Sequence, residues 1–278
     1  MFRDKLTVPL STTYQSVMNK SLQREINLAK NIQTTLLNGK IPTFEGGEVS
    51  GKTLPARLIG GDYYDFYPLI NGKIRIVIGD VMGKGIPAAM LMILTRGAFR
   101  SAAESTRGPG ETLSAMNQAL YDDLRSLGSF VTLFCADWDP NTKMLTYANA
   151  GHNLPLYVNH QEETITPLPK ISGIMIGGLP NQDYQEHQMT LHMNDTIFFY
   201  TDGIVEAQND KGEQFQLERL IETLALHKDE NADSIEEHVM DSIKAFTKDL
   251  PQKDDITMVL LKIGEDKSDI MSLNSPVL

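Results

Sequence analysis

The chain has 278 residues, of which 41% are hydrophobic and 22% charged, the composition of an ordinary globular protein with a buried core. Its longest purely apolar run, Ala88 to Leu94, falls far short of the roughly 20 residues that cross a bilayer, and the polar start Met1-Phe2-Arg3-Asp4-Lys5 offers no signal-peptide core. The single cysteine, Cys135, excludes an internal disulfide and a cysteine-rich zinc site. A net charge of −11 argues against nucleic-acid and membrane partners, so a cytoplasmic acidic protein is expected.

The charge is unevenly spread. Residues 1–40 carry Arg3, Lys5, Lys20, Arg24, Lys30 and Lys40 against Asp4 and Glu25, a net +4 that leaves −15 for the remainder. A basic arm on an acidic body suggests either a separate unit that docks on the body or on a partner, or a solvated helix with an incidental excess of lysine. Within it, Ser11-Thr12-Thr13 is a helix start. Tyr14, Met18, Leu22, Ile26, Ala29, Ile32 and Leu36 then form one apolar stripe, ending near Asn38-Gly39. This helix is either a short dimerisation element, a docking site for an activator, or a lever packed on the next domain.

After Pro42 the pattern changes to strands. Glu48–Leu58 and Asp62–Leu69 lead through Ile70-Asn71-Gly72 to Lys73–Val81, where Ile74, Ile76 and Ile78 alternate with positions expected to be exposed or semi-exposed. Helices are expected over Ile86–Ala103 and Glu111–Ser126. Strands follow at Phe130–Asp137, Met144–Ala148, Leu156–Asn159, Thr164–Leu168, Gln185–Leu191 and Thr196–Thr201. Helices at Leu217–His227 and Ser234–Leu250 precede a last strand, Ile256–Ile263. Helices in pairs between groups of strands indicate an α+β fold with antiparallel sheets, a β-sandwich flanked by helices. Three units result: an arm and linker helix (1–40), one domain (41–264) and a loose polar tail (265–278).

The aspartates carry the chemistry. If Ile70-Asn71-Gly72 is a three-residue hairpin loop with Gly72 left-handed, Leu69 pairs with Lys73, Phe66 with Ile76, Tyr64 with Ile78, and Asp62 falls opposite Asp80. Two facing carboxylates repel and are costly to bury, and a bound cation is the simplest compensation. Oxygen ligands without clustered His or Cys favour magnesium or manganese over zinc. Asp202-Gly203 closes the apolar run Ile197–Tyr200, and Asp254-Asp255 stands immediately before the last strand, so four acidic strand ends can share one rim of a sandwich.

The motifs Gly60-Gly61-Asp62-Tyr63-Tyr64-Asp65, Gly79-Asp80-Val81-Met82-Gly83-Lys84-Gly85, Tyr147-Ala148-Asn149-Ala150-Gly151-His152, Tyr200-Thr201-Asp202-Gly203 and Asp254-Asp255-Ile256-Thr257 occur in that order. Together they resemble the SpoIIE/RsbU branch of the metal-dependent protein phosphatase 2C superfamily, over about residues 45 to 263. The resemblance implies a two-manganese or two-magnesium centre and phosphoserine or phosphothreonine protein substrates. It implies metal ligation by Asp62, Asp80, the Val81 carbonyl, Asp202 and Asp254, with Asp255 ranked below Asp254. The implied chemistry is direct hydrolysis, two cations about 4 Å apart activating a water. It further implies a phosphorylated anti-sigma-factor antagonist as substrate, in a partner-switching pathway. The rival reading is a non-catalytic partner-binding module of the same fold.

Other residues have plainer readings. No histidine occupies the stretch Val81–Gly85 where many relatives carry a general acid; His152 is a substitute candidate, or a turn residue satisfied by backbone hydrogen bonds. Gly79–Gly85 has the wrong spacing for a phosphate-binding loop, and Lys84 reads as a surface lysine that can reach phosphate. Asp65 is either a hydrogen-bonding support to the site or an exposed strand residue. The acidic run Asp229, Glu230, Asp233, Glu236, Glu237 reads as a solvated helix face.

Overall fold

The computed structural model describes residues 10–37, 41–248 and 250–264. The expected helix end at Asn38-Gly39, the arm residues Arg3, Asp4, Lys5 and Lys40, and the tail after Gly264 lie outside these. Ten strands form two five-stranded antiparallel sheets. One sheet runs β1 (Gly47–Leu54), β10 (Ile256–Ile263), β9 (Thr196–Tyr200), β6 (Leu156–Asn159), β7 (Thr164–Pro167). The other runs β2 (Tyr63–Pro68), β3 (Ile74–Val81), β4 (Val131–Asp139), β5 (Met144–Ala150), β8 (His187–Thr190).

The expected α+β sandwich is what the chain forms. Phe66, Ile76, Ile78, Phe134 and Trp138 of one sheet meet Ile197, Phe199, Val259 and Leu261 of the other to make the central core. Helices α2 (Ile86–Ser105) and α3 (Pro109–Ser126) bury Met92, Phe99, Leu113 and Leu120 on the outer face of the β3–β4 sheet. On the opposite side, α5 (Gln216–His227) and α6 (Ala232–Thr247) bury Leu220, Leu224, Val239 and Ile243 against β9 and β10. The central strands are therefore covered on both faces. This overturns the expectation for β3: Arg75 and Val77, set between the isoleucines, are 0% exposed because α2 and α3 lie over them.

The β2–β3 hairpin has the register read from its turn. Tyr64 pairs with Ile78 and Phe66 with Ile76, the Leu69 amide donates to the Lys73 carbonyl at 2.8 Å, and Gly72 has φ +75°. The loop itself is a single 3₁₀ turn, Ile70–Gly72. Asp65 falls on the α2 side of this hairpin. It is buried and accepts a two-pronged pair of bonds from Arg100 at 2.8 Å each, with further bonds from the Tyr63 hydroxyl and the Phe66 amide. Asp65 is therefore not an exposed strand residue, and its partners Arg100, Tyr63 and Phe66 include none of the rim aspartates.

The N-terminal helix α1 (Leu10–Leu37) touches the body chiefly at its last turn, where Gln33 and Leu37 are buried. Gln33 Nε2 donates to the Gly60 carbonyl at 2.7 Å, and the Gly60 amide returns a bond to Gln33 Oε1 at 3.2 Å. Met18, Leu22 and Ile32 of the apolar stripe remain more than half exposed.

Arg75 is a fully buried charge. It donates to both Asp137 oxygens at 2.6 and 2.7 Å, and to Thr106 and Thr112 at 2.8 and 2.6 Å, tying β3 and β4 to the α2–α3 corner. Removing one partner strands a buried charge, which costs about 3–5 kcal/mol. Asp137→Ala should therefore lower unfolding free energy by about 3 kcal/mol in urea titration, and Arg75→Met with Asp137→Leu should recover most of it. Equal losses in the single and double variants would contradict this.

Candidate metal centre

The two sheets present their carboxylates at one rim. Asp62 directly precedes β2, and Asp80 is the penultimate residue of β3. Asp202 opens the short helix α4 (Asp202–Val205) directly after β9, and Asp254-Asp255 precede β10. The rims are joined by a threonine the sequence reading passed over. Thr201 Oγ1 donates to Asp62 Oδ2 at 2.8 Å and accepts the Thr257 amide at 3.0 Å, while the Thr201 amide donates to the Thr257 carbonyl. One hydroxyl thus ties the β9–β10 edge to the first residue of the β2–β3 hairpin.

Two glycines owe their identity to the same corner. A Cβ at Gly60 would collide with the Asp255 carboxylate, and one at Gly203 with the Asp255 carbonyl. The close approach lets Asp255 accept the Ala56 and Gly61 amides at 2.7 Å each, so the loop carrying Asp62 is clasped from below. Both Asp255 oxygens are therefore engaged with backbone, whereas its neighbour Asp254 faces the opening. Asp254 accepts Lys84 Nζ at 2.6 Å, and Lys84 also donates to the Lys253 carbonyl. Lys84 is thus a partner of the rim and not a free surface lysine.

The electrostatics are those of an acidic cluster short of positive charge. Burial, then the charge of Asp80, pushes the Asp62 carboxyl well above the usual range, opposed by the Thr257 and Thr201 hydroxyls. Burial, then Asp202, Asp254 and Asp255, pushes Asp80 up to about 7. Burial, then Glu206 and Asp254, raises Asp202. Among the described residues, no Lys, Arg or His lies within 4.0 Å of the Asp62, Asp80 or Asp202 carboxylates. Burying facing carboxylates without a counter-charge is unfavourable, so this hard-oxygen donor set fits divalent magnesium or manganese. The carboxylates do not close into a cage around one ion: no three of them bring ligand atoms within 4.8 Å of one another. Val81 ends β3 with its carbonyl against Gly61, close enough that a Cβ there would lie 3.1 Å from it.

A cavity of about 240 Å³ opens over Asp80 and Asp202, walled by Met82, Thr132, Gly151 and His152. A second, of about 410 Å³, adjoins Asp254 and Lys84 and runs along Met240, Ile243 and Lys244 of α6. Arg57, in the loop clasped by Asp255, is exposed and places Nη1 3.2 Å from where a Gly85 Cβ would stand. It forms no ion pair with a described carboxylate, so a cation beside Lys84 is left for a ligand. Arg57 has no sequence signal; only the fold brings it to the rim.

His152 is a buried turn residue. Its amide donates to Asn149 Oδ1 at 2.8 Å, its carbonyl accepts from Asn149 Nδ2, and its Nδ1 lies 2.9 Å from Thr132 Oγ1. Burial lowers its pKa to about 4. The imidazole is neutral at pH 7 and holds no acidic proton for a leaving group. Cys135 is fully buried in β4 and burial raises its thiol pKa, so it is no nucleophile.

A sandwich of two five-stranded antiparallel sheets between helix pairs, with aspartates on one rim, defines a phosphatase 2C-type domain. The model of the family described as Stage II sporulation protein E (SpoIIE) matches residues 70–264, which includes Asp80, Asp202 and Asp254 but begins after Asp62. Phosphoserine phosphatase RsbU of Bacillus subtilis is 30% identical over 247 residues, covering 88% of this chain and 72% of RsbU. The SiaA-PP2C domain of Pseudomonas aeruginosa superposes with a TM-score of 0.74 at 23% identity, over 88% of this chain and 98% of that one. RsbX, solved in complex with magnesium, superposes at 0.60 and 18% identity, over 81% and 99%. Two further curated relatives are spanned over less than half their length. The chain belongs to the SpoIIE family and is a serine phosphatase of the phosphatase 2C fold.

A neutral, buried His152 stabilises the fold fully above pH 6.5, and that contribution is lost as pH falls toward about 4, where the native imidazole must charge. Its ring Cε1 proton resonance should therefore stay fixed between pH 5.5 and 8 in NMR titration. A transition near 6.5 would contradict the buried assignment.

Proposed function

We propose that this chain hydrolyses phosphoserine on a phosphoprotein, a phosphorylated anti-sigma-factor antagonist in a partner-switching pathway, with two manganese or magnesium ions at the rim. The single observation that carries the reading is the uncompensated pair of buried Asp62 and half-buried Asp80, the second of which lines a cavity. In this proposal Asp62, Asp80, Asp202, Asp254 and the Val81 carbonyl hold the ions, and Asp255 ranks below them because its oxygens already serve the Ala56 and Gly61 amides. Bound divalent ions would supply Lewis-acid polarisation of the phosphoryl group and a more acidic water.

The rest of the work falls to the chain. Thr201 fixes the orientation of Asp62 by one hydrogen bond. Arg57 and Lys84 flank the opening with positive charge that phosphate oxygens can use. Lys84 also shields Asp254 from its acidic neighbours until a cation replaces that role. A non-catalytic module would have no need to keep such an unfavourable carboxylate cluster, which is what weighs against the rival reading.

The exposed stripe of α1 and the bond pair between Gln33 and Gly60, two residues before Asp62, support α1 as a regulatory helix that binds an activator or a second copy. Among the described residues no helix is long and apolar enough to cross a membrane; a cytoplasmic setting fits a phosphoprotein substrate.

Manganese-dependent release of phosphate from such a phosphoprotein should be abolished in Asp80→Asn while circular dichroism stays unchanged. Full activity in EDTA, or in Asp80→Asn, would sink the metal mechanism. Arg57→Ala should raise KM about tenfold with a smaller change in kcat, the loss of a charge-assisted bond; an unchanged KM would remove it from substrate binding. Deleting residues 1–40 should change either the rate or the oligomeric state, and a change in neither would rule out regulation through α1.

A further inference from the structure

At the far end of the domain, the corner between α5 and α6 gathers a second set of ligand groups. His227 ends α5, Glu230 lies in the connecting loop, and His238 stands in the first half of α6. His227 Nδ1 is 2.8 Å from Glu230 Oε1, and His238 Nε2 is 3.0 Å from Glu230 Oε2. The two imidazoles lie face to face, centroids 3.6 Å apart and 9° from parallel. Both rings thus direct a nitrogen to the same carboxylate from the same side. The sequence reading made Glu230 part of a solvated acidic helix face; it is instead the pivot of this cluster, and Glu236 of that same run is buried against the body.

We propose that His227, Glu230 and His238 bind one zinc-class divalent ion, at a site separate from the aspartate rim. Among the described residues, this is the only group of three or more carboxylate, imidazole or thiol ligands whose ligand atoms all lie within 4.8 Å of one another. Binding one ion requires the two rings, now nearly parallel, to turn so that their in-plane lone pairs converge on it with bonds of about 2.0–2.1 Å. Two imidazoles and one carboxylate select zinc, nickel or copper over magnesium, in contrast to the all-oxygen rim.

The setting keeps the three side chains together. The His227 hydrogen bond, and then the His238 charge, hold the Glu230 carboxyl below its usual range, so it stays an anion. The loop is fastened at both ends. Lys262 donates to the Lys228 carbonyl, the Ala232 amide donates to Glu48 of β1 at 2.7 Å, and Asn231 caps Ser234 at 2.8 Å. The His227 side chain is 26% exposed and those of Glu230 and His238 are 41% exposed, which leaves room for a water as fourth ligand. β10 starts beside the aspartates and ends at Lys262 near this corner, so about 20 Å separates the two sites at roughly 3.3 Å per residue.

The same helix that carries His238 lines the cavity beside Asp254 with Met240, Ile243 and Lys244. An ion pinning α6 to the end of α5 therefore stiffens one wall of the opening next to the phosphatase site.

The test uses the full chain, stripped with chelator, in an Asp80→Asn background that disables the rim. Titration with Zn2+ alone should show one saturable equivalent and a rise in Tm of about 5 °C at a hundredfold excess over Kd. Co2+ in its place should give visible d–d absorption. His238→Gln and, independently, Glu230→Gln should each weaken Zn2+ binding at least tenfold and remove the Co2+ spectrum, with unchanged circular dichroism. No saturable Zn2+ binding in the Asp80→Asn protein would overturn the proposal, as would binding and a Co2+ spectrum that persist in both glutamine variants. Because activity is never read, failure here leaves the phosphatase reading untouched.

Discussion

Two carboxylates held opposite each other at the buried end of a hairpin are the constraint around which this domain is arranged. Asp62 is 4% exposed and feels Asp80 across the register that the three-residue turn dictates. Among the described residues, nothing basic lies within ion-pairing distance of either. Such a pair is unfavourable in a metal-free protein, and the surrounding structure holds it in place: Thr201 reaches from the other sheet to Asp62, and Asp255 clasps the Gly61 amide just before it. The stability of the sandwich core is what sustains this local cost.

The clasp also connects distant parts of the chain. Gly60 bonds to Gln33 of α1, Gly61 bonds to Asp255, and Asp62 follows directly. Three consecutive residues therefore join the N-terminal helix, the start of β10 and the candidate metal centre. Displacing α1 necessarily alters the partners of Gly60, two residues before Asp62. Lys84 plays a related part on the open side, where its ammonium neutralises Asp254.

Much of this was legible in the sequence, for identifiable reasons. Asn71-Gly72 set the hairpin register because a left-handed glycine fixes loop length, and the register set Asp62 against Asp80. The runs at 156–159 and 256–263 gave their strands to the residue because turns and apolar content agree there. What was hidden depends on contacts distant in sequence. Arg75 looked like an outward strand position until α2 and α3 covered it, and Asp65 needed Arg100 to become a buried anchor. The resemblance ranked Asp254 above Asp255, and the fold supplies the reason: Asp254 faces the opening while both Asp255 oxygens accept backbone amides. His227, Glu230 and His238 meet because two helices turn back on each other, a pairing no local pattern encodes.

The central claim is that the Asp62–Asp80 pair is strained when bare and stable when a cation neutralises it. Thermal unfolding of the wild type and Asp62→Asn, each with and without Mn2+, tests this most directly. Without metal, Asp62→Asn should melt at or above the wild-type temperature, because a neutral amide is buried there without the cost that raises the Asp62 carboxyl pKa, while the Thr201 hydrogen bond is kept. With Mn2+, the wild type alone should gain several degrees. A metal-free Asp62→Asn protein less stable than the wild type, or an equal Mn2+ gain in both, would contradict the account.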